Sequence, residues 1–170
     1  LNKAAAIAHN AKVQRPGVCN ALETLLVSKA VAEAFIPPLV SALMESGVEV
    51  RGCAQTCAMS PSVKPATEDD WNTEFLDLIL AIRIVDDLDD AISHIDKHGS
   101  NHTASIVTES PERADRFLRD VDASCVMVNA STRFNDGGEL GLGAEMGIST
   151  TRIHAYGPMG VEALTAEKFV

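Results

Sequence analysis

An α/β fold, with a parallel sheet and helices on both of its faces, is predicted by three observations. Apolar, β-branched runs alternate with helical patterns through the second half of the chain. The links between them are short, as in βαβ units. The strand runs are apolar throughout rather than alternating, which suits a sheet covered on both sides.

Taken in order, Leu1 to Asn10 reads as a short helix, with propensity supplied by Ala4, Ala5, Ala6 and Ala8. A turn at Gln14–Asn20 follows, in which Pro16 fixes its own φ and Gly17 permits backbone angles that other residues avoid. Leu22 to Val27 reads as a mostly buried strand. Ser28 is a candidate N-cap for a helix from Lys29 to Ser46, stopped by Gly47. Pro37 and Pro38 fall inside that pattern and predict a break or a restart. Val48 to Arg51 reads as a short strand, and Gly52 to Thr67 has no period and reads as loop. Leu78 to Val85 is a strand. Asp86 to His98 is a helix with acidic residues in its first turn and Gly99 as its stop. Thr103 to Thr108 is a strand. Ser110-Pro111 caps and starts a helix to Asp120, and Ser124 to Asn129 is a third strand. A glycine-rich loop follows, and Leu164 to Val170 reads as a terminal strand or a fraying tail. The units from Leu22 to Asn129 are expected to bury one continuous core.

The length, 170 residues, predicts one domain with a sizeable core. Aromatic residues make up only 4%, so that core is expected to be aliphatic. A net charge of −10 argues against nucleic acid and anionic membranes as partners. No apolar run reaches the length of a membrane span, and no leader is visible. The four cysteines, Cys19, Cys53, Cys57 and Cys125, form no disulfide framework, which points to a reducing cytoplasm. The chain opens on Leu1 inside a helical run rather than on Met, which predicts a piece of a longer protein.

Cys19 stands out chemically. Residues 1 to 22 hold Lys3, Lys12 and Arg15 and no acidic residue, in a chain that is acidic overall. A thiol among cations is expected to have a lowered pKa, and the thiolate is the nucleophile. The residues alone leave a second reading, a structural cysteine packed as a small hydrophobe. Gly141-Leu-Gly143 with Gly147 narrowly misses a dinucleotide fingerprint, because no strand runs directly into it. Cys53 and Cys57 have a spacing known in zinc sites, but no second pair completes four ligands, and no metal is expected. His94 and His98 read as solvated surface, and Asp86, Asp87, Asp89 and Asp90 as a charged helix start. Arg133, at the end of a strand, is suited to a carboxylate or phosphate, with Ser131 and Thr132 beside it; a pairing with Asp136 or Glu139 is the other reading.

The segment Asn10 to Thr24, with Gln14-Arg-Pro-Gly-Val-Cys19-Asn, resembles the catalytic-cysteine segment of the γ-glutamyl phosphate reductase (glutamate-5-semialdehyde dehydrogenase) family, within the aldehyde dehydrogenase superfamily. Val128 to Ser149 resembles its glycine-rich segment, and Arg152 to Gly160 continues it. The resemblance runs the length of the chain and covers the C-terminal part of a family member. It implies an aldehyde-dehydrogenase-like catalytic domain over residues 1–149 and a C-terminal oligomerisation tail over 150–170, hence a homo-oligomer. It implies NADPH-dependent reduction of L-glutamyl 5-phosphate to glutamate 5-semialdehyde and phosphate, in proline biosynthesis, through a thioacyl on Cys19. Asn20 or Asn10 would supply an amide to the oxyanion, and Lys12 and Arg15 would offset the leaving phosphate. Glu74, in Thr73-Glu-Phe-Leu-Asp77, would bond the nicotinamide ribose, although Leu76-Asp77 replaces the Gly-Pro common in the superfamily. The main NADPH-binding domain would lie N-terminal to this chain. A glutamate 5-kinase, separate or fused, is the candidate partner. Two other classes stay open: an oxidative aldehyde dehydrogenase with the same thiol, and a non-catalytic assembly module.

Overall fold

The computed structural model describes residues 1–170. A helix α1 (Asn2–Val13) leads through the Cys19 turn into β1 (Thr24–Ser28). Helix α2 (Ala32–Glu45), β2 (Glu49–Gly52), a short α3 (Ala54–Met59) and β3 (Lys64–Pro65) follow. A 3₁₀ turn at Asp69–Asn72 precedes β4 (Ile79–Val85) and α4 (Leu88–His98). Then come β5 (Thr103–Ile106), α5 (Pro111–Asp120) and β6 (Cys125–Val128). A second 3₁₀ turn, Thr132–Phe134, opens the glycine-rich segment, which ends in the antiparallel hairpin β7 (Gly147–Ser149) and β8 (Gly157–Met159).

The four strands β1-β4-β2-β3 form one sheet with parallel pairings throughout. β4 lies inside it, with Thr24 opposite Ala81 on one side and Glu49 opposite Ile79 on the other. Leu80, Ile82 and Ile84 point to one face and pack with Ala8 of α1 and Ile36, Leu39, Val40 and Leu43 of α2. From the opposite face Arg83 reaches α4, donating to Asp90 Oδ1 at 2.9 Å and to His94 Nδ1 at 2.6 Å. The sheet is thus covered on both sides, as its uninterrupted apolar strands require.

The expected single parallel sheet is instead two, apart from the antiparallel β7–β8 hairpin. β5 and β6 pair in parallel with each other, Thr103 opposite Cys125, and not with β4. Both edges of β4 are already taken by β1 and β2, so the chain leaving α4 has no edge there to join. The core divides in the same way: Ile92, Ala104, Phe117 and Val121 form a smaller cluster apart from the main one.

Local chemistry explains the helix ends. Asp87 accepts from Asp90 N–H at 2.9 Å and caps α4, and Ser110 accepts from Arg113 N–H at 3.3 Å and caps α5. Gly47, at φ +82°, ends α2, with Gly47 N–H on Met44 O and Val48 N–H on Leu43 O. That double bond is a Schellman closure. Ser28 does not cap α2: it is the last residue of β1, and the helix starts at Ala32. Pro37 and Pro38 do not break it either. Both face solvent, as do Glu33 and Ala34, whose carbonyls lose their helical partners, so water replaces the missing bonds. The stretch read as loop holds α3 and β3, too short to show a period. Leu164 to Val170 forms no strand.

His94 is buried rather than solvated. Arg83 donates to its Nδ1, so the ring proton sits on Nε2, edge-on to Trp71 with centroids 5.5 Å apart. Burial, then the Arg83 charge, pushes its pKa down to about 4. The unfolded chain therefore takes up a proton between about pH 6.5 and the depressed value that the folded chain refuses. Stability is expected to fall by roughly 3 kcal/mol as pH drops through that window. Urea unfolding followed by Trp71 fluorescence checks this. An unchanged pH slope in His94→Gln would overturn it.

Candidate active site

Helix α1 runs to Val13, past the expected end at Asn10, and this decides the fate of its charges. Lys12 is turned inward, fully buried, with Nζ donating to Glu23 Oε2 at 2.8 Å. It is not free to meet a phosphate. Asn10 lies exposed on the same helix, and its side chain makes no bond to the Cys19 loop. Arg15 is exposed and forms no ion pair within the chain.

The Cys19 turn closes through Ala21 N–H to Val18 O (3.0 Å) and Leu22 N–H to Ala11 O (2.9 Å). Gly17 is not in a left-handed conformation, and a Cβ there would meet only Leu76 O at 3.5 Å. The left-handed residue is Leu76 itself, at φ +53°. A leucine is strained there, where the superfamily's glycine would not be. Its N–H is held by Glu23 Oε1 at 3.2 Å.

Asn20 is buried and ties this turn to a segment more than a hundred residues away. Its Nδ2 donates to Asn135 O at 2.9 Å, its Oδ1 accepts from Arg133 Nη1, and its carbonyl accepts from Thr132 Oγ1 at 2.6 Å. The Asn20 amide therefore positions the loop and is not free for an oxyanion. Ser131 is buried and accepts from Arg133 N–H at 3.3 Å, capping the 3₁₀ turn. Arg133 pairs with neither Asp136 nor Glu139. Its Nε donates to Gln14 Oε1 at 3.2 Å, so two neutral amides orient the fork and no carboxylate balances its charge. Asn135, fully buried, donates from Nδ2 to Thr103 Oγ1 at 2.8 Å. The same hydroxyl pairs with Nδ1 of the buried His102 at 2.6 Å. Asn135, His102 and Glu145 escaped sequence reading. Asn135 and Glu145 lie inside the quoted glycine-rich segment, which was the available signal.

Cys19 is exposed, while Cys53, Cys57 and Cys125 are half-buried. The expected depression of its pKa is reversed. Partial burial pushes the thiol up, against the N–H groups of Cys19 and Asn20, and the Glu145 and Glu74 carboxylates push it further. Of the cations that predicted the opposite, Lys12 is spent on Glu23, and neither Lys3 nor Arg15 is among the groups that shift the thiol. Glu74 is exposed, with no hydrogen bond or ion pair in the chain. Gly141 and Gly143 have positive φ, but no strand leads into them and no helix follows. The glycine motif at 141–147 therefore forms no strand-turn-helix of the kind that holds a dinucleotide's phosphates.

The exposed Cys19 lies on the loop before β1, the edge strand of a parallel sheet covered on both faces, in an α/β domain. The aldehyde dehydrogenase family model matches residues 69–169, and the chain belongs to that family. Within it, the chain is 64% identical over 164 residues to the γ-glutamyl phosphate reductase of Desulfatibacillum aliphaticivorans, covering 96% of this chain and 39% of that one. The crystal structure of γ-glutamyl phosphate reductase from Thermotoga maritima superposes with a TM-score of 0.96 at 54% identity, over 99% of this chain and 41% of that one. The enzyme of that name from Saccharomyces cerevisiae gives 0.62 at 32% identity, over 83% and 36%. The chain thus spans about two-fifths of the length of the curated relatives it matches (39–41%). No helix is long and apolar enough to cross a membrane.

Proposed function

We propose that this chain is the catalytic part of a cytoplasmic enzyme of proline biosynthesis that reduces L-glutamyl 5-phosphate with NADPH to glutamate 5-semialdehyde and phosphate. The observation that carries the reading is the exposed Cys19, on a loop laced by Asn20 to residues 132–135, in a chain so similar to named reductases. Sγ of Cys19 attacks the acyl carbon, the C–O bond to phosphate breaks, and a thioacyl remains. The Cys19 and Asn20 backbone N–H groups, which pull the thiol pKa down against burial, are the donors proposed for the oxyanion that forms on the carbon bonded to sulfur. Arg133, with Nη2 unbonded, and the exposed Arg15 are the cations left for the anionic groups of the substrate. NADPH, when bound, supplies the hydride, and Glu74 is the residue here that would hold its ribose. A glutamate 5-kinase is the partner that would supply the acyl phosphate. Assaying the full-length protein in both directions, with glutamate semialdehyde and with simple aldehydes, tests the reading. Oxidation of simple aldehydes without phosphate dependence would reject it.

One ribose contact contributes about 0.5–1.5 kcal/mol, a small share of what a dinucleotide site supplies. Calorimetric titration of NADPH into residues 1–170 is therefore expected to show no saturable binding. Micromolar binding would place the cofactor site within this chain.

We further propose that residues 150–170 serve subunit contacts in a homo-oligomer. They supply the return strand β8, and Ile153, Val161 and Phe169 are apolar and largely exposed. Truncating the full-length protein after Ser149 is expected to lower its mass by light scattering. An unchanged mass would reject the role.

A further inference from the structure

Glu74, Phe75 and Leu76 make one hydrogen bond between them, from Leu76 N–H to Glu23 Oε1 at 3.2 Å. Leu76 needs it. Its φ of +53° is left-handed, where a leucine is strained and a glycine is not. Relaxation to a negative φ at residue 76 would swing the chain before it, Glu74 included, relative to β4 behind it. Glu23 is built to resist this. Its Oε2 takes Lys12 Nζ at 2.8 Å, so the carboxylate is gripped from α1 and cannot turn away. Its backbone oxygen takes Ala81 N–H at 3.0 Å, which fixes the residue at the head of β1 beside β4. Glu23 also closes the loop that carries Cys19, and on the other side of the same peptide chain Leu76 O stands 3.5 Å from where a Cβ of Gly17 would be. One carboxylate thus joins the exit of the nucleophile loop to the loop that carries Glu74.

We propose that Glu23 is a positioning residue for the cofactor: by holding Leu76 in its left-handed turn it sets where Glu74 meets the nicotinamide ribose. This rests on the reading of Glu74 as the ribose contact. Glu23 touches neither cofactor nor substrate and acts through one backbone N–H. Its two oxygens divide the work. Oε2 neutralises Lys12, which is a matter of stability, and Oε1 holds the Leu76 peptide, which is a matter of cofactor affinity. The two are therefore separable by substitution. An acceptor at position 23 is required for the turn whether or not it is charged, and a glycine at position 76 makes that acceptor dispensable.

The test uses the full-length protein in the reverse direction, with glutamate 5-semialdehyde, phosphate and NADP+, and reads KM for NADP+ apart from kcat. Lys12→Met is carried in every variant, so that no change at Glu23 strands a buried charge. Glu74→Ala is expected to raise KM about fivefold, the worth of one hydrogen bond, with kcat little changed. Glu23→Leu leaves Leu76 N–H without an acceptor and should raise KM as much, adding nothing further when residue 74 is already alanine. Glu23→Gln, whose oxygen still accepts, should keep the starting KM. Leu76→Gly, added to Glu23→Leu, should bring KM back, a recovery that a merely structural defect would not show. Glu23→Ala makes the same comparison should Glu23→Leu fail to fold. No turnover in the wild-type protein would mean that the enzyme reading has failed. Normal turnover with an unchanged KM in Glu74→Ala would mean that the ribose reading has failed, and the proposal falls with either. Where Glu74→Ala does raise KM, a Glu23→Leu protein within about 1.5-fold of its Lys12→Met parent would overturn the proposal itself. So would a rise that Leu76→Gly does not reverse.

Discussion

Replacing Cys19 by serine in the full-length protein is expected to lower reduction by on the order of 10⁴-fold or more while leaving NADPH binding intact. A serine hydroxyl keeps the size and place of the thiol but is far harder to ionise, and it would make an ester rather than a thioester. The substitution should not disturb the loop, because Cys19 is exposed and the turn is held by Asn20, Thr132 and Arg133. Substitution is also a cleaner probe than selective alkylation. Burial raises Cys53, but the N–H of Ile84 and the Thr56 hydroxyl outweigh it, and the net shift of that thiol is downward. Cys53 is therefore the more readily ionised of the two and competes for an alkylating reagent despite its partial burial. Steady-state turnover and cofactor titration on the same preparation decide the matter. Retention of more than trace activity would remove Cys19 from the chemistry.

Much of the fold was legible because the signals are local. β4 carries an apolar run that no helix pattern imitates, and α5 announces itself by Ser110-Pro111 and ends where its pattern ends. What was not legible depends on partners distant in sequence. Lys12 and Arg15 read as free cations beside a thiol, yet the extension of α1 by three residues rotates Lys12 onto Glu23. His94 read as surface because its own helix is acidic, while the residue that buries and orients it, Arg83, comes from β4. The separation of β5 and β6 from the main sheet is a matter of which distant strands pair, which no local pattern records. The two long motifs at 10–24 and 128–149 do meet in space, and Asn20 shows how: one buried amide serves both strands of the junction. The same lacing explains why the sign of the Cys19 shift was misread. Lys12 was engaged with Glu23, and the charges that act on the thiol, Glu145 and Glu74, are remote from it in sequence.

Removing Glu23 is expected to be the most destabilising polar substitution in the chain. Lys12 is wholly buried, and its ammonium has one partner, Glu23, which is itself 16% exposed. Breaking a buried pair by deleting one member strands the other charge, at a cost of about 3–5 kcal/mol. Glu23→Ala does this to Lys12 and also frees Leu76 N–H, which holds a leucine in its strained left-handed turn. Lys12→Met should cost less, since methionine fills the lysine's volume and the remaining carboxylate keeps the Leu76 N–H and some contact with water. The double variant Lys12→Met with Glu23→Gln should recover most of the loss, because no unpaired charge is left and the glutamine oxygen still accepts from Leu76. Urea unfolding of the four proteins closes the cycle. The consequence reaches the site, for Leu76 O faces Gly17 in the Cys19 turn. In the full-length protein the Glu23→Ala variant should therefore lose Cys19 reactivity before it loses global structure. A Glu23→Ala protein within about 1 kcal/mol of wild type would mean that Lys12 finds water or another partner, and that the pair does not anchor the nucleophile loop.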